Sequence, residues 1–296
     1  MRNGHDRQFF SPFYAGEAPM SARLEVTILG CGSSTGVPRL GGPGGTGDWG
    51  ACDAGNPKNR RRRCSILVRR QQGDAVTAVL VDTSPDLREQ LLAAHCAKLD
   101  AVLITHDHAD QTHGLDDLRA ITFRTGRRID VYSDRQCLGV LKRKFGYTFE
   151  TPQGSEYPPI VTAREIAVGQ PFDIAGEGGA IPVLPFPQTH GRIQSLGFRF
   201  GPLAYSSDVN VLSEDAFAML DGIECWILDA LRYAPHPTHA NVETALEWIA
   251  RVKPRRAILT NLHMDLDYEA LKRELPAGIE PAYDGMVVSL SFGMSA

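Results

Sequence analysis

Apolar residues in this chain come in short, dense runs separated by stretches rich in glycine, proline and charge. "RLEVTIL" (23–29), "CSILVRR" (64–70) and "VTAVLVD" (76–82) open the series, and their Val, Ile and Leu content predicts strands. Next comes "SPDLREQLLAAHC", which predicts a helix with Ser84 as N-cap, Pro85 in the first turn and Asp86 beside the positive helix end. "DAVLIT" (100–105) predicts a buried strand that runs directly into "THDHADQTHG". The second half repeats this grammar: "AIPVLPFPQTH" ends at His190, "GPLAYSSD" at Asp208 and "RAILTNLH" at His263, while "CWILDALR" leads into "HPTH". Helices are predicted over 213–221, 240–252 and 267–275. Residues 133–170 read as an insertion, one basic helix followed by the Pro-rich "TPQGSEYPP". The segment "GCGSSTGVPRLGGPGGTGDWGACDAGNPKNRRRR" excludes regular structure over most of its length, and so long a loop in a compact domain is usually functional or disordered. Its glycines at 41–47 suit a mobile flap, but no G-x-x-x-x-G-K-[ST] phosphate cradle is present.

Strands alternating with helices point to an α/β fold. With 296 residues and no internal repeat or low-complexity linker, the expected organisation is one domain over 23–296 behind an N-terminal extension, 1–22. Met20 directly precedes the first strand and is a second candidate start. The chain is 43% hydrophobic and carries a formal net charge of −4, which gives no general attraction to nucleic acid or to an anionic membrane. No apolar run reaches the ~18 residues that span a bilayer. The six cysteines are scattered without a C-x-x-C pair, and the N-terminus lacks a signal-peptide core, so reduced thiols in a cytoplasm are expected.

The histidines change the picture. Of nine, His106, His108, His113, His190 and His263 fall at or just past the ends of apolar runs, as does Asp208, and His236 and His239 lie in the loop after another. Side chains at strand ends leave the packed layer and converge, which is where α/β sheets build ligand sites. A single histidine after a strand is usually a surface or hydrogen-bonded residue. His106 and His108 differ, because alternate residues after a strand can aim two imidazoles at one point and Asp110 adds a carboxylate. Imidazole and carboxylate without thiolate suit Zn, Mn or Fe.

Thr105 to Gly114 resembles the H-x-H-x-D-H-x-x-G signature of the metallo-β-lactamase superfamily, with Gln111 where the last histidine would stand. Asp82, His190, Asp208 and His263 resemble that superfamily's other motifs in order and spacing. The resemblance implies an αββα sandwich, two mixed sheets flanked by helices with metal at one edge. "LGCGSSTGVPRLG", "HGLDDLR" and "HPTH" are similar to the phosphodiesterase branch, which includes phosphoribosyl 1,2-cyclic phosphate phosphodiesterase. A C-x-C-x-x-C structural zinc motif frequent in that branch is reduced here to Cys52, so no structural zinc is expected.

What the resemblance implies about chemistry is specific. One ion would be held by His106, His108 and His190, with Asp208 bridging to a second held by Asp110 and His263. Two ions about 3.5–4 Å apart lower the pKa of a bridging water and stabilise both attacking and leaving oxygens. His239 would protonate the leaving group, with His236 as its rival or a substrate contact, and Asp110 would belong to the catalytic machinery. Asp82, Gln111 and His113 would support the ligands from behind. Arg61, Arg62 and Arg63 either hold phosphate or form internal ion pairs. Because an amide oxygen is a weaker donor than imidazole, Gln111 predicts one tight site and a weaker second one, occupied by Mn or Zn.

The expected activity is hydrolysis of a small phosphodiester or cyclic phosphate, phosphoribosyl 1,2-cyclic phosphate or a nucleotide among the candidates. The alternatives are a ribonuclease resembling the tRNA 3′-processing endoribonuclease and a non-hydrolytic metal protein resembling the pyrroloquinoline quinone biosynthesis B protein. The expected partner is a small phosphorylated substrate, not a membrane or extended nucleic acid, and a homodimer is left open.

Overall fold

The computed structural model describes residues 22–292. The expected extension therefore lies outside the described residues except for its last position. Two seven-stranded mixed sheets face one another. The first is built from β1 (Arg23–Gly30), β2 (Ser65–Gln72), β3 (Ala75–Val81), β4 (Ala101–Leu103), β5 (Ile129–Ser133) and β6 (Val161–Glu165). The second comprises β7 (Phe172–Ile174), β8 (Ile181–His190), β9 (Ile193–Phe200), β10 (Leu203–Ser206), β11 (Cys225–Asp229), β12 (Arg256–Thr260) and β13 (Ile279–Pro281). The last strand, β14 (Val287–Ser291), returns to the first sheet and pairs antiparallel with β1. Strand order is β14-β1-β2-β3-β4-β5-β6 in one sheet and β13-β12-β11-β10-β9-β8-β7 in the other. From β3 to β6 and from β10 to β13 the neighbours are parallel.

Parallel strands covered on both faces must be apolar at successive positions. In β4, Ala101 and Leu103 enter the core between the sheets while Val102 joins the core under the outer helices. In β11, Cys225 and Ile227 face inward while Trp226 and Leu228 face the opposite helical layer. The first sheet is covered by α1 (Leu87–Ala93), α3 (Arg119–Thr125) and α4 (Arg135–Phe149), the second by α5 (Glu214–Met219), α6 (Val242–Val252) and α7 (Tyr268–Glu274). A one-turn helix, α2 (Ala109–Thr112), sits inside the histidine motif. The layers run α, β, β, α, as the resemblance implies. No helix of the described residues is long and apolar enough to cross a membrane.

Helix starts follow local side-chain chemistry. Asp134, Ser213, Asn241 and Asp267 each accept a hydrogen bond from a backbone N–H in the first turn. α1 departs from expectation: its N-cap is Asp86, not Ser84. The Ser84 hydroxyl instead accepts from the Asp86 N–H, and the Asp86 carboxylate accepts from the Arg63 N–H, so the chain turns before the helix begins. The insertion also contains more than expected. After α4 comes a stretch without regular structure, and then β6 extends the sheet beside β5.

The long loop between β1 and β2 is held in place by Arg61, which is 2% exposed. Its guanidinium donates to the carbonyls of His263 (3.0 Å) and Leu266 (2.6 Å) and to Asn59 Oδ1 (3.1 Å). The expectation that Arg61 contacts substrate is therefore corrected: its two terminal nitrogens are turned to the loop that follows β12 and to Asn59. Arg62 pairs with Asp284 and Arg63 with Asp86, so these two arginines also take the internal ion-pair alternative. Removing the guanidinium leaves buried carbonyls unpaired, and a lysine cannot reproduce its forked geometry. Arg61→Met should lower stability by about 3 kcal/mol, and Arg61→Lys should recover only part of that loss. Equilibrium urea unfolding reads this directly, and wild-type stability in both variants would refute the clamp.

Candidate metal centre

Strand ends deliver the site. His190 is the last residue of β8 and Asp229 the last of β11, Asp208 lies just beyond β10, and Asn261 follows β12 directly. His106 and His108 lie beyond β4, and His239 sits in the loop between β11 and α6. Asp82, Asp208 and Asn261 adopt left-handed backbone, with φ of 64°, 53° and 62°. Asp and Asn tolerate this region better than other side chains with a Cβ, and such outliers collect at functional sites. Gly114, which closes the histidine motif, donates its N–H to Thr83 O. A Cβ there would lie 2.1 Å from Ser84 O, so only glycine lets the motif seat against the turn after β3.

Two groups of ligand atoms come together, His106 with His108 and His190, and His190 with Asp208 and His239. Within each, the atoms lie no more than 4.8 Å apart. Asp208 Oδ1 is 4.0 Å from His190 Nε2 and 3.9 Å from His239 Nε2. Three imidazoles are tethered through Nδ1. Asp82 accepts from the Thr105 backbone N–H (2.8 Å) and hydroxyl (3.0 Å), which leaves that hydroxyl oxygen, 3.0 Å from His106 Nδ1, to accept its proton. His190 Nδ1 donates to Thr238 O at 2.6 Å, and His239 Nδ1 to Asp229 Oδ2 at 2.8 Å. In each ring Nε2 is left facing the site. His106 Nε2 is buried with no hydrogen-bond partner, which suits a nitrogen that ligates a metal. The donor set thus fits a divalent metal.

Electrostatics divide the histidines by role. Burial, with the neighbouring His108, His190 and His239, holds His106 well below the usual histidine range, so it is neutral and free to ligate. Burial would lower His239 as well, but the Asp229 charge and hydrogen bond outweigh it and lift the ring to about 9. Asp110 is pushed up to about 6 by burial and then by the Asp208 charge. Asp82 is raised by burial against the opposing hydrogen bonds from Thr105.

Other expected site residues fall elsewhere. Asp110 stands in α2, within the field of Asp208, His108 and His239 but outside both ligand groups. His263 also lies outside them. Its Nε2 accepts from the Arg39 guanidinium, which leaves Nδ1 to donate to Asp265 Oδ2, 3.0 Å away. Burial and Arg39 lower its pKa. Gln111 is fully buried and donates its amide N–H to Asp208 Oδ2 at 2.8 Å. His113 packs edge-on against Phe145, and His236 stands 5.1 Å from His239, ring to ring, with its pKa lowered by burial and by that neighbour. Sequence reasoning did not single out Asp229, Thr105, Asn261 or Arg39. Asp229 carried a usable signal, since it ends the apolar run "CWILD" just as Asp82 ends its own.

The beta-lactamase superfamily domain model matches residues 77–264. Among solved structures, a diphosphatase from the PhnP family is 34% identical, covering 90% of this chain and 97% of that one, with a TM-score of 0.79. Zn(2+)-bound PqqB from Methylobacterium extorquens shares the fold at 20% identity, over 90% of this chain and 100% of that one, with a TM-score of 0.65. An octanoyltransferase of Porphyromonas gingivalis is 33% identical over 268 residues, 89% of this chain and 51% of that protein. This chain spans about half the length of the curated relatives it matches. The superfamily model over 77–264 spans the strand-end histidines, and with 34% identity to the solved diphosphatase over 97% of that structure, the chain belongs to the beta-lactamase superfamily, in its PhnP family.

Proposed function

We propose that the chain is a metal-dependent phosphodiesterase acting on small phosphate esters, cyclic phosphates and nucleotides among them. The observation that carries this reading is the convergence of His106, His108, His190 and Asp208 beside a histidine backed by a buried carboxylate, Asp229–His239. Likeness to a PhnP-family diphosphatase supports phosphoryl chemistry. Octanoyl transfer is not carried over, because this chain corresponds to half of the relative so named.

His106, His108, His190 and Asp208 would hold the ion, and imidazole with carboxylate suits Zn or Mn. When bound, such an ion polarises a phosphoryl oxygen and lowers the pKa of a water. The protein's own residues do the rest. Asp82 acts through Thr105 to fix the His106 tautomer, and Thr238 O does the same for His190. His239 holds a proton at Nε2, and its Nδ1–H is spent on Asp229. A departing alkoxide needs that proton, whereas nitrophenolate does not.

Two outcomes follow. Chelation should abolish hydrolysis of bis-p-nitrophenyl phosphate, with recovery on adding Mn or Zn. Persistent turnover by protein proven metal-free would sink the reading. His239→Ala should slow substrates with alkoxide leaving groups by roughly 10²–10⁴-fold while sparing nitrophenyl esters. Asp229→Asn should reproduce the same selectivity in weaker form. Equal losses on both substrate types, accompanied by loss of bound metal, would make His239 a ligand instead.

A further inference from the structure

We propose that this site binds one divalent cation, with side-chain amides standing where a second would be held. The inference rests on the metal-centre reading above and concerns its stoichiometry. A carboxylate that bridges two ions must offer an oxygen to each. Asp208 Oδ1 faces His190 Nε2 and His239 Nε2, but Asp208 Oδ2 receives the Gln111 amide N–H at 2.8 Å. Gln111 is 0% exposed, so water does not compete for that hydrogen bond.

The remaining surroundings point the same way. A second ion beyond Oδ2 would need further donors from α2 and from the end of β12. From α2 comes Asp110, half-buried and alone. From β12 comes Asn261, whose amide nitrogen lies 3.1 Å from His239 Nδ1. The Asn261 oxygen is turned away toward Cys64 Sγ, 3.8 Å distant. His263, which would complete the set, has both ring nitrogens engaged by Arg39 and Asp265. The Arg39 guanidinium also places a positive charge against that imidazole, which repels a cation there. The Gln111 NH₂ group thus satisfies Asp208 Oδ2 by hydrogen bonding, and the Asn261 NH₂ group stands beside His239, without the charge of a second ion. The tight-plus-weak pair of sites expected from sequence becomes a single site.

Gln111 could be reversed only by setting its Oε1 against Asp208 Oδ2. Those are two acceptors that nothing but a cation would reconcile. Stoichiometry decides between the orientations. The full chain, stripped and titrated with Mn(II) and separately with Zn(II), should bind one equivalent by calorimetry and elemental analysis, and the Mn(II) form should give the paramagnetic resonance spectrum of an isolated ion. Gln111→Leu should still bind one. Gln111→His and Gln111→Glu, which replace the amide donor by a ligand, should each gain a second equivalent, and at least one of the two must fold for the comparison. Two equivalents in the wild type, or an exchange-coupled Mn(II) spectrum, overturn the proposal. So does a second equivalent appearing in neither folded ligand variant. No binding at all in the wild type would instead refute the metal centre itself.

Discussion

The site depends on a constraint that acts one bond away from it: the Nδ1 atoms of His106, His190 and His239 are all committed to protein acceptors. Thr105, Thr238 and Asp229 each take one of these protons; Thr105 lies just beyond β4, Asp229 ends β11, and Thr238 lies in the loop between β11 and α6. A neutral imidazole has one donor and one acceptor, so fixing the first aims the second. Without these tethers three rings around 5 Å apart would be free to turn, and a buried, unpartnered Nε2 on His106 would be a cost with no return.

The acceptors differ in charge, and His106 and His239 are shifted in opposite directions. His190 donates to a backbone carbonyl and His106 to a hydroxyl, both neutral, and burial keeps the His106 ring unprotonated. His239 donates to a buried carboxylate, which stabilises the imidazolium. The same side chain, placed a few ångströms away against a different partner, is held in its charged form instead of its neutral one. Asp229 itself is fully buried and pushed upward by desolvation, and the His239 charge is its principal compensation. The two groups stabilise one another's charged forms.

Much of this was legible in the chain. Dense apolar runs marked β1, β2, β3, β8, β10, β11 and β12, and the polar residues that close the runs of β3, β8, β10 and β11, namely Asp82, His190, Asp208 and Asp229, marked the edge where the site lies. The histidine motif was legible because its spacing is local. What escaped was either short or dependent on contacts distant in sequence. β5 and β6 are five residues each and carry charge, and β13 is three residues long, so their pairing is set by the sheet and not by composition. The run of arginines could not declare its use, since Arg61 is defined by carbonyls some 200 positions away. His263 ends an apolar run as His190 does, yet β12 stops at Thr260 and the residue turned into the site is Asn261. A count of strand-end residues cannot detect that difference of two positions.

The left-handed backbone at Asp82, Asp208 and Asn261 has a consequence for how this site would be dissected by mutagenesis. At each position an alanine removes a functional group and also forces a Cβ-bearing residue with no local hydrogen-bonding side chain into a conformation it resists, at a cost of order 1 kcal/mol. A scan by alanine would therefore mix lost chemistry with a distorted main chain, and would exaggerate the apparent importance of these three relative to His106 or His190, which carry no such handicap. Exchanging Asp and Asn with each other keeps the conformational preference and alters only the charge. The turns that lift these side chains out of the sheets thus restrict the replacements open to the protein itself, and drift at these positions is channelled toward Asp, Asn and Gly.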